Sequence, residues 1–111
     1  MEAIDRQSLE EIAAWASRHG QVRRVWVIGS RARGTARADS DLDIAIELTP
    51  VADSEETMPE WMAHAEAWRD ELQRRLRPTV DLKWVDADHG SRDTRAAAAE
   101  GKLLAYERVP G

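Results

Sequence analysis

A glycine-serine turn and two closely spaced aspartates constrain the fold of this chain more than any other feature. Gly29 and Ser30 directly follow an apolar, β-branched run, Val25-Trp26-Val27-Ile28, which is typical of a strand buried on both faces. Asp41 and Asp43 follow the turn after ten intervening residues. The turn therefore lies at a strand end, where Gly29 permits close approach of a ligand and Ser30 can donate hydrogen bonds to a phosphate oxygen.

A second strand, with one apolar and one carboxylate face, is predicted after the turn. Its two faces alternate along the sequence as Leu42, Ile44, Ile46 and Leu48 against Asp41, Asp43, Ala45 and Glu47. Asp41 and Asp43 point to the same side, with Cα atoms about 6–7 Å apart at a rise of about 3.3 Å per residue. Their oxygens can converge on a hard cation such as Mg²⁺. Residues 79–85 alternate similarly, so Asp81 joins the pair if that strand lies alongside.

Basic side chains near the turn leave two interpretations open. Arg31, Arg33 and Arg37 could neutralise a triphosphate, because guanidinium groups suit phosphate oxygens. Some of them could instead only pair with a carboxylate such as Asp39 or Glu47. For Arg33 both interpretations stand, and Arg31 and Arg37 are weaker candidates for the phosphates.

Three other features are weaker candidates for ligand binding. Gly29 and Gly34 have the spacing of a P-loop, but Thr35-Ala36 replaces the Lys-Ser/Thr pair, which excludes that motif. Lys83 would face the same side as Asp81, where a surface or ion-paired role is favoured over a phosphate contact. His64 and His89 have no convincing zinc-ligand spacing, and an oxygen-rich site favours magnesium or manganese over zinc.

The turn and the aspartate pair, at this fixed spacing, resemble the signature of the DNA-polymerase-β-type nucleotidyltransferases. Gly-Ser-x-Ala-Arg-Gly and Ser40-Asp41-x-Asp43 resemble the minimal, single-domain branch of that family, and residues 100–107 resemble its usual tail. The resemblance implies a small mixed β-sheet flanked by helices, with the carboxylates on adjacent strands. It also implies that Asp81 is the third carboxylate.

The resemblance implies a chemistry as well as a fold. The expected activity is magnesium-dependent transfer of AMP from ATP to a hydroxyl acceptor, with manganese as a possible substitute. Asp41, Asp43 and Asp81 would be the catalytic residues and would hold two metal ions, while Gly29, Ser30 and Arg33 would bind the nucleotide.

Partners are also implied by the resemblance, because minimal members of the family often stand beside a helical partner protein. The chain would then be the antitoxin-type partner of a helical, HEPN-type toxin encoded nearby, and a hydroxyl of that protein would be the acceptor. Two alternatives remain open at this point: a non-catalytic antitoxin that acts by contact alone, and a small-molecule enzyme of the aminoglycoside-modifying type. The sequence does not define the base preference or the oligomeric state.

Length and composition set broader limits. The 111 residues predict one domain, residues 1–111, with an ordinary globular balance of apolar and charged residues. A net charge of −5 argues against binding to nucleic acid or an anionic membrane. The absence of cysteine excludes disulfides and thiolate sites. With no leader-like start and no apolar run of the roughly 18 residues that a spanning helix needs, a soluble, cytoplasmic protein is expected.

Helices are predicted around the strands, which together indicate an α/β or α+β domain. The first helix begins at a capping box, Ser8 to Glu11, and ends by Gly20, with His19 solvated near its end. A second helix is predicted from Met58 until Pro78 ends it. Core packing is favoured over base stacking for its apolar stripe, which comprises Trp61, Ala65, Trp68, Leu72 and Leu76. Residues 91–100 predict an alanine-rich helix, and residues 103–106 a short last segment.

Overall fold

The computed structural model describes residues 4–37, 39–49, 58–85 and 102–108. Within these ranges the chain forms a four-stranded sheet with helices. The elements, in chain order, are α1 (Arg6–Ser17), β1 (Val22–Ile28), α2 (Ser30–Arg33), β2 (Leu42–Leu48), α3 (Met58–Gln73), β3 (Val80–Val85) and β4 (Lys102–Glu107). The predicted mixed α/β class is confirmed.

The strands lie in the order β3-β2-β1-β4. β1 is antiparallel to both β2 and β4, whereas β2 and β3 are parallel. A parallel pair needs a crossover connection of a dozen or more residues, and α3 lies within that connection. The short last segment predicted at residues 103–106 is part of β4, so the described residues contain four strands where three had been identified from periodicity.

The main hydrophobic core lies where α1 and α3 pack on one face of the sheet. Its side chains alternate along each strand with residues of the opposite face, as the period of two requires. Ile12 and Trp15 of α1 and Trp68 and Leu72 of α3 are at most 2% exposed. The strands contribute Val22, Val25, Val27, Leu42, Ile44, Ile46, Leu48 and Val80 to the same cluster. Burial of each large aliphatic side chain contributes about 1.5–3 kcal/mol to folding.

Helix α1 begins and ends earlier than its sequence signals predict. Asp5 is the N-cap, because its Oδ1 accepts a hydrogen bond of 2.7 Å from the Ser8 amide and so satisfies one of the helix's unpaired donors. Ser8 therefore lies inside the first turn. At the other end the helix stops at Ser17, before Gly20. The guanidinium of Arg108 donates to carbonyl groups of the last turn and the residues after it, namely those of Ala16, Ser17, His19 and Val22.

The apolar stripe of α3 packs into the core, as predicted. Trp15 and Trp68 meet edge to face with centroids 5.8 Å apart, a favourable arrangement for aromatic rings. His19 contacts both rings and lies 3.1 Å from Glu71 through Nε2. The prediction of a solvated His19 was wrong, because α3 places Trp68 and Glu71 against it.

Two features from the sequence lie outside the described residues, namely the alanine-rich helix predicted at residues 91–100 and His89. None of the helices among the described residues is both long enough and apolar enough to span a bilayer.

Candidate active site

The face of the sheet opposite α1 and α3 brings two of the predicted carboxylates side by side. Asp43 of β2 is the register partner of Ile28 on β1 and of Asp81 on β3. Neighbouring strands lie about 4.7–4.9 Å apart, so the two carboxylates project from adjacent positions on one face. Both stand at the end of the sheet where β1 stops. The sequence predicts that Asp81 joins Asp43 if their two strands lie side by side. The structure confirms this strand pairing.

The turn that follows β1 contacts Asp43 directly. Gly29 has φ 75° and ψ −150°, a backbone conformation that is essentially restricted to glycine. A β-carbon built on Gly29 would lie 2.9 Å from Asp43 Oδ2, closer than real contacts allow. Glycine is therefore needed at position 29 for two reasons, the backbone conformation and the space that the Asp43 carboxylate occupies.

Burial and three charged side chains set the electrostatics of Asp43. Burial is the largest effect and raises the pKa of Asp43; the Lys83 ammonium opposes this shift, and the carboxylates of Asp81 and Asp41 add to it. Lys83 Nζ forms an ion pair with Asp81 Oδ2 at 3.3 Å, as the ion-paired interpretation of Lys83 predicted. Negative charge is thus crowded here, and a cationic side chain already compensates part of it.

Asp41 completes the acidic group from the residue just before β2. Its side chain is exposed, and it is close enough to Asp43 to raise that residue's pKa. Asp41, Asp43 and Asp81 offer only carboxylate oxygens, a donor set that suits Mg²⁺ or Mn²⁺ better than Zn²⁺. Among residues 4–37, 39–49, 58–85 and 102–108, however, no three acidic, His or Cys side chains are arranged to hold a metal ion. Asp81 contacts both the Lys83 ammonium and the Asp43 carboxylate.

The predicted phosphate-binding residues occupy the turn and the single helical turn that follows it. Ser30 begins α2, and Arg33 ends it with an exposed side chain. The amides of Ala32 and Arg33 donate to the Gly29 carbonyl, which shapes the turn. Gly34 then adopts the left-handed conformation, with φ 76°, and closes α2. Ser30 and Arg33 therefore lie at the same end of the sheet as Asp43, whose carboxylate contacts the Gly29 turn.

Arg31 has a role that the sequence interpretation missed. Its side chain is buried, at 6% exposure, and its Nε and Nη2 donate to the Ser40 carbonyl at 3.2 and 2.7 Å. Arg37 is exposed, and its amide donates to Ser40 Oγ. The sequence left open whether an arginine near the turn pairs with Glu47. In the structure, Arg23 and Arg24 contact that buried carboxylate instead.

His64 lies in a different part of the molecule. It belongs to α3, stacks on Trp68 with centroids 5.0 Å apart, and approaches Glu60 at 3.5 Å. Because α3 covers the core face of the sheet and the carboxylates project from the other face, His64 is not part of the acidic site.

The strand pairing, the Gly29-Ser30 turn and the acidic group define a nucleotidyltransferase domain. The family model described as polymerase beta, nucleotidyltransferase, matches residues 10–107, nearly the whole chain. The chain belongs to this family.

Solved structures show the same fold. The chain is 19% identical to a toxin–antitoxin crystallised with AMP-PNP, with a TM-score of 0.66 and coverage of 90% of this chain and 73% of the other. It is 17% identical to a mutant of the toxin–antitoxin MntA-HpeT, with a TM-score of 0.64 and the same two coverages. At these identities the similarities show a shared fold. No match is found among curated protein sequences.

Proposed function

We propose that this protein is a magnesium-dependent nucleotidyltransferase that transfers AMP from ATP to a hydroxyl group of a partner protein, in the manner of an antitoxin. The observation that carries the proposal is the register pairing of Asp43 with Asp81 beside a glycine whose β-carbon position is filled by the Asp43 carboxylate. This geometry places a concentrated negative charge against a turn able to receive phosphate.

The reaction exchanges a phosphoanhydride bond for a phosphoester bond. The acceptor oxygen attacks the α-phosphorus of ATP, the bond to the β-phosphate oxygen breaks, and pyrophosphate leaves with the bonding electrons. Mg²⁺ held by Asp41, Asp43 and Asp81 would neutralise the triphosphate and lower the pKa of the acceptor hydroxyl. The proton of that hydroxyl passes to the Asp81 carboxylate, which acts as general base.

The remaining residues bind and orient the nucleotide. Ser30 and the backbone of the Gly29 turn donate to the β- and γ-phosphate oxygens, and Arg33 adds positive charge to the same region. Catalysis then depends chiefly on holding the triphosphate in line with the acceptor and on compensating its charge. Both requirements are met by residues at one end of the sheet.

A protein is the acceptor that we propose, because the similar solved structures are toxin–antitoxin proteins. One of them was crystallised with AMP-PNP, which supports ATP as the proposed donor. Asp41 is exposed, and the Asp81 side chain is about half exposed, at 49%. A hydroxyl on a helical partner can therefore approach both carboxylates from outside the domain.

The decisive experiment is a transfer assay with the product of the neighbouring gene. The purified protein, Mg²⁺ and ATP labelled at the α-phosphate are incubated with that partner, with aminoglycosides, or with neither. Label is expected on the partner, and ATP labelled at the γ-phosphate should leave the partner unlabelled. Asp41→Asn should abolish labelling, whereas Asp39→Asn, which removes an exposed charge from the same loop, should retain it.

Two results would contradict the proposal in different ways. Efficient labelling of an aminoglycoside without any partner would indicate the small-molecule enzyme. A tight complex that silences the partner without label, equally in the wild-type protein and in Asp41→Asn, would indicate an antitoxin that acts by contact alone.

A further inference from the structure

The guanidinium of Arg31 is buried between the glycine turn and the loop that leads to Asp41. Burial of a charged group is unfavourable unless its donors are bonded. Nε and Nη2 of Arg31 both donate to the carbonyl oxygen of Ser40, at 3.2 and 2.7 Å, and Nη2 also reaches the Arg37 carbonyl at 3.4 Å. A forked contact of this kind fixes the position of its acceptor more tightly than a single bond.

The loop that Arg31 holds is closed by its own hydrogen bonds. The Ser40 amide donates to the Arg37 carbonyl at 3.0 Å, and the Arg37 amide donates to Ser40 Oγ at 2.8 Å. Arg31 therefore anchors Ser40 and Arg37, which are hydrogen-bonded to each other, to α2. On the other side of Arg31, its own carbonyl accepts from the Ile4 amide at 3.2 Å, which ties the same segment to the start of α1.

Asp41 stands between two fixed points of the backbone. Ser40 before it is held through its carbonyl by Arg31, and Leu42 after it donates its amide to the Thr79 carbonyl at 2.8 Å. The second bond belongs to the pairing of β2 with β3, which also sets Asp43 beside Asp81. The contact of Arg31 with the Ser40 carbonyl restrains Asp41 from the other side, through the residue that precedes it.

We infer that Arg31 is a positioning residue: it holds Asp41 beside Asp43 and thereby sets the affinity of the acidic site for a divalent cation. The inference rests on the proposed function, since it assigns a task to the site proposed there. It consists of two links: Arg31 holds Ser40 and Arg37 in place, and the metal affinity depends on that restraint. Each link has its own measurement.

A cleft beside Arg31 makes a chemical test possible. Arg31 lines a cleft of about 670 Å³ together with Asp5, Glu11, Arg75 and other described residues. Truncation of Arg31 to alanine would leave a vacant guanidinium site that opens into this cleft. Free guanidinium ion can then enter and donate to the Ser40 carbonyl in place of the lost side chain.

Arg108→Ala is the matched control. Arg108 also donates to several backbone carbonyls, but it does so near Val22, at the opposite end of β1 from Ile28. Val22 and Ile28 are roughly 20 Å apart at about 3.3 Å per strand residue. Loss of Arg108 should lower the melting temperature without changing the acidic site.

The first measurement, hydrogen exchange in the absence of metal, tests the restraint alone. In Arg31→Ala the amides of Arg37 and Ser40 should exchange at least tenfold faster than in the wild-type protein, while amides of α3 should be unchanged. Arg108→Ala should leave the amides of the loop at their wild-type rates. If those two amides exchange equally in Arg31→Ala and the wild-type protein, the proposal is overturned.

The second measurement is Mn²⁺ affinity, followed by the electron paramagnetic resonance signal of the free ion. Arg31→Ala should bind Mn²⁺ at least tenfold more weakly, and guanidinium chloride at about 50 mM, far below denaturing concentrations, should restore most of that loss. Sodium chloride at equal ionic strength should not. If Arg31→Ala fails to fold, Arg31→Lys replaces it in the Mn²⁺ measurement, because a single ammonium nitrogen cannot reproduce the forked contact with the Ser40 carbonyl. Wild-type Mn²⁺ affinity in Arg31→Lys would then overturn the proposal.

The two possible failures are separable. A wild-type protein that binds no Mn²⁺ would contradict the proposed function, while the exchange rates would still test the restraint. A wild-type protein that binds Mn²⁺, together with a folded Arg31→Ala variant of equal affinity, would leave the proposed function standing and overturn the role of Arg31.

Discussion

The carboxylate of Asp43 fills the space in which any residue other than glycine at position 29 would place its β-carbon, 2.9 Å from Oδ2. The turn after β1 and the first acidic residue of β2 therefore form one packed unit. Ile28 and Asp43 are also register partners, so the strand pairing brings the backbone of the turn close to Asp43. The glycine is part of the acidic site as well as part of the turn.

Gly29→Ala should damage both stability and metal binding. The backbone conformation at Gly29 alone costs about 1–3 kcal/mol for a residue with a side chain, and the new methyl group would push the Asp43 carboxylate away. We expect a lower free energy of unfolding and a more than tenfold weaker apparent affinity for Mn²⁺. Urea denaturation and Mn²⁺ titration measure the two effects.

Gly20→Ala is the control for this change, since a β-carbon at Gly20 would meet nothing within 4 Å. It should leave both quantities within error of the wild-type values. A Gly29→Ala protein with wild-type Mn²⁺ affinity would show that the contact with Asp43 does not matter for the site.

Asp43→Asn should lose metal affinity while the metal-free fold holds or gains stability. Burial and the neighbouring Asp81 and Asp41 carboxylates raise the pKa of Asp43, so its charged form is unfavourable in the folded protein. Asparagine removes that penalty. Affinity for Mn²⁺ should fall by more than about tenfold, since even groups that only support a metal ligand are commonly worth 10–100-fold. Thermal unfolding in EDTA and Mn²⁺ titration measure the two results.

The difference in free energy of unfolding between Asp43→Asn and the wild-type protein should also depend on pH in a defined direction. Asp43 ionises near its ordinary pKa of 3.8 when unfolded and at a higher pH when folded. Its penalty therefore appears as the pH rises above 3.8 and becomes constant above the folded pKa. The advantage of Asp43→Asn should be full at pH 7 and shrink as the pH falls toward 4. An advantage for Asp43→Asn that grew on acidification would contradict the burial of Asp43.

The acidic site could be predicted largely because its signals are local. The alternation of β2 and β3 has a period of two, which places Asp43 and Asp81 on one face of each strand. Their pairing in register needed the crossover to bring the strands together. Strand order and the pairing of β4 with β1 depend on contacts between residues far apart in the chain, which periodicity does not encode.

The arginines near the turn could not be sorted from the sequence. Arg31 and Arg33 both lie on a single helical turn, which is too short to show which side faces the protein. The structure buries Arg31 against the Ser40 carbonyl and leaves Arg33 exposed. The predicted start of α1 at Ser8 was wrong: Ser8 is a good N-cap residue, but Asp5 accepts a hydrogen bond from its amide and caps the helix instead.

Glu71 should stabilise the aromatic core through its acceptor oxygen. Its Oε1 accepts from Trp15 Nε1 at 3.2 Å and lies 3.1 Å from His19 Nε2, and Trp15 is only 1% exposed. Glu71→Leu would leave the buried indole N–H without this acceptor, at a cost of about 1–3 kcal/mol. Urea denaturation at pH 7 measures the loss.

Glu71→Gln keeps an amide oxygen in place and should lose clearly less stability than Glu71→Leu. Glu66→Leu, at an exposed position of the same helix, should stay within about 0.5 kcal/mol of the wild-type protein. Equal losses in Glu71→Gln and Glu71→Leu would mean that the hydrogen bond contributes nothing and that packing alone stabilises this corner.

Lys83 should weaken cation binding at the acidic site. Its ammonium lies 3.3 Å from Asp81 Oδ2 and lowers the pKa of Asp43, so it competes with a metal ion for the same negative charge. Lys83→Met should therefore bind Mn²⁺ more tightly. A partly exposed ion pair is worth about 0.2–1 kcal/mol, which corresponds to an increase in affinity of up to about fivefold. Arg74→Met, which removes an exposed positive charge from the region after α3, should leave the affinity nearly unchanged and thus controls for net charge. Weaker Mn²⁺ binding by Lys83→Met would instead mean that Lys83 orients Asp81 for ligation and that its ion pair is part of the site's working geometry.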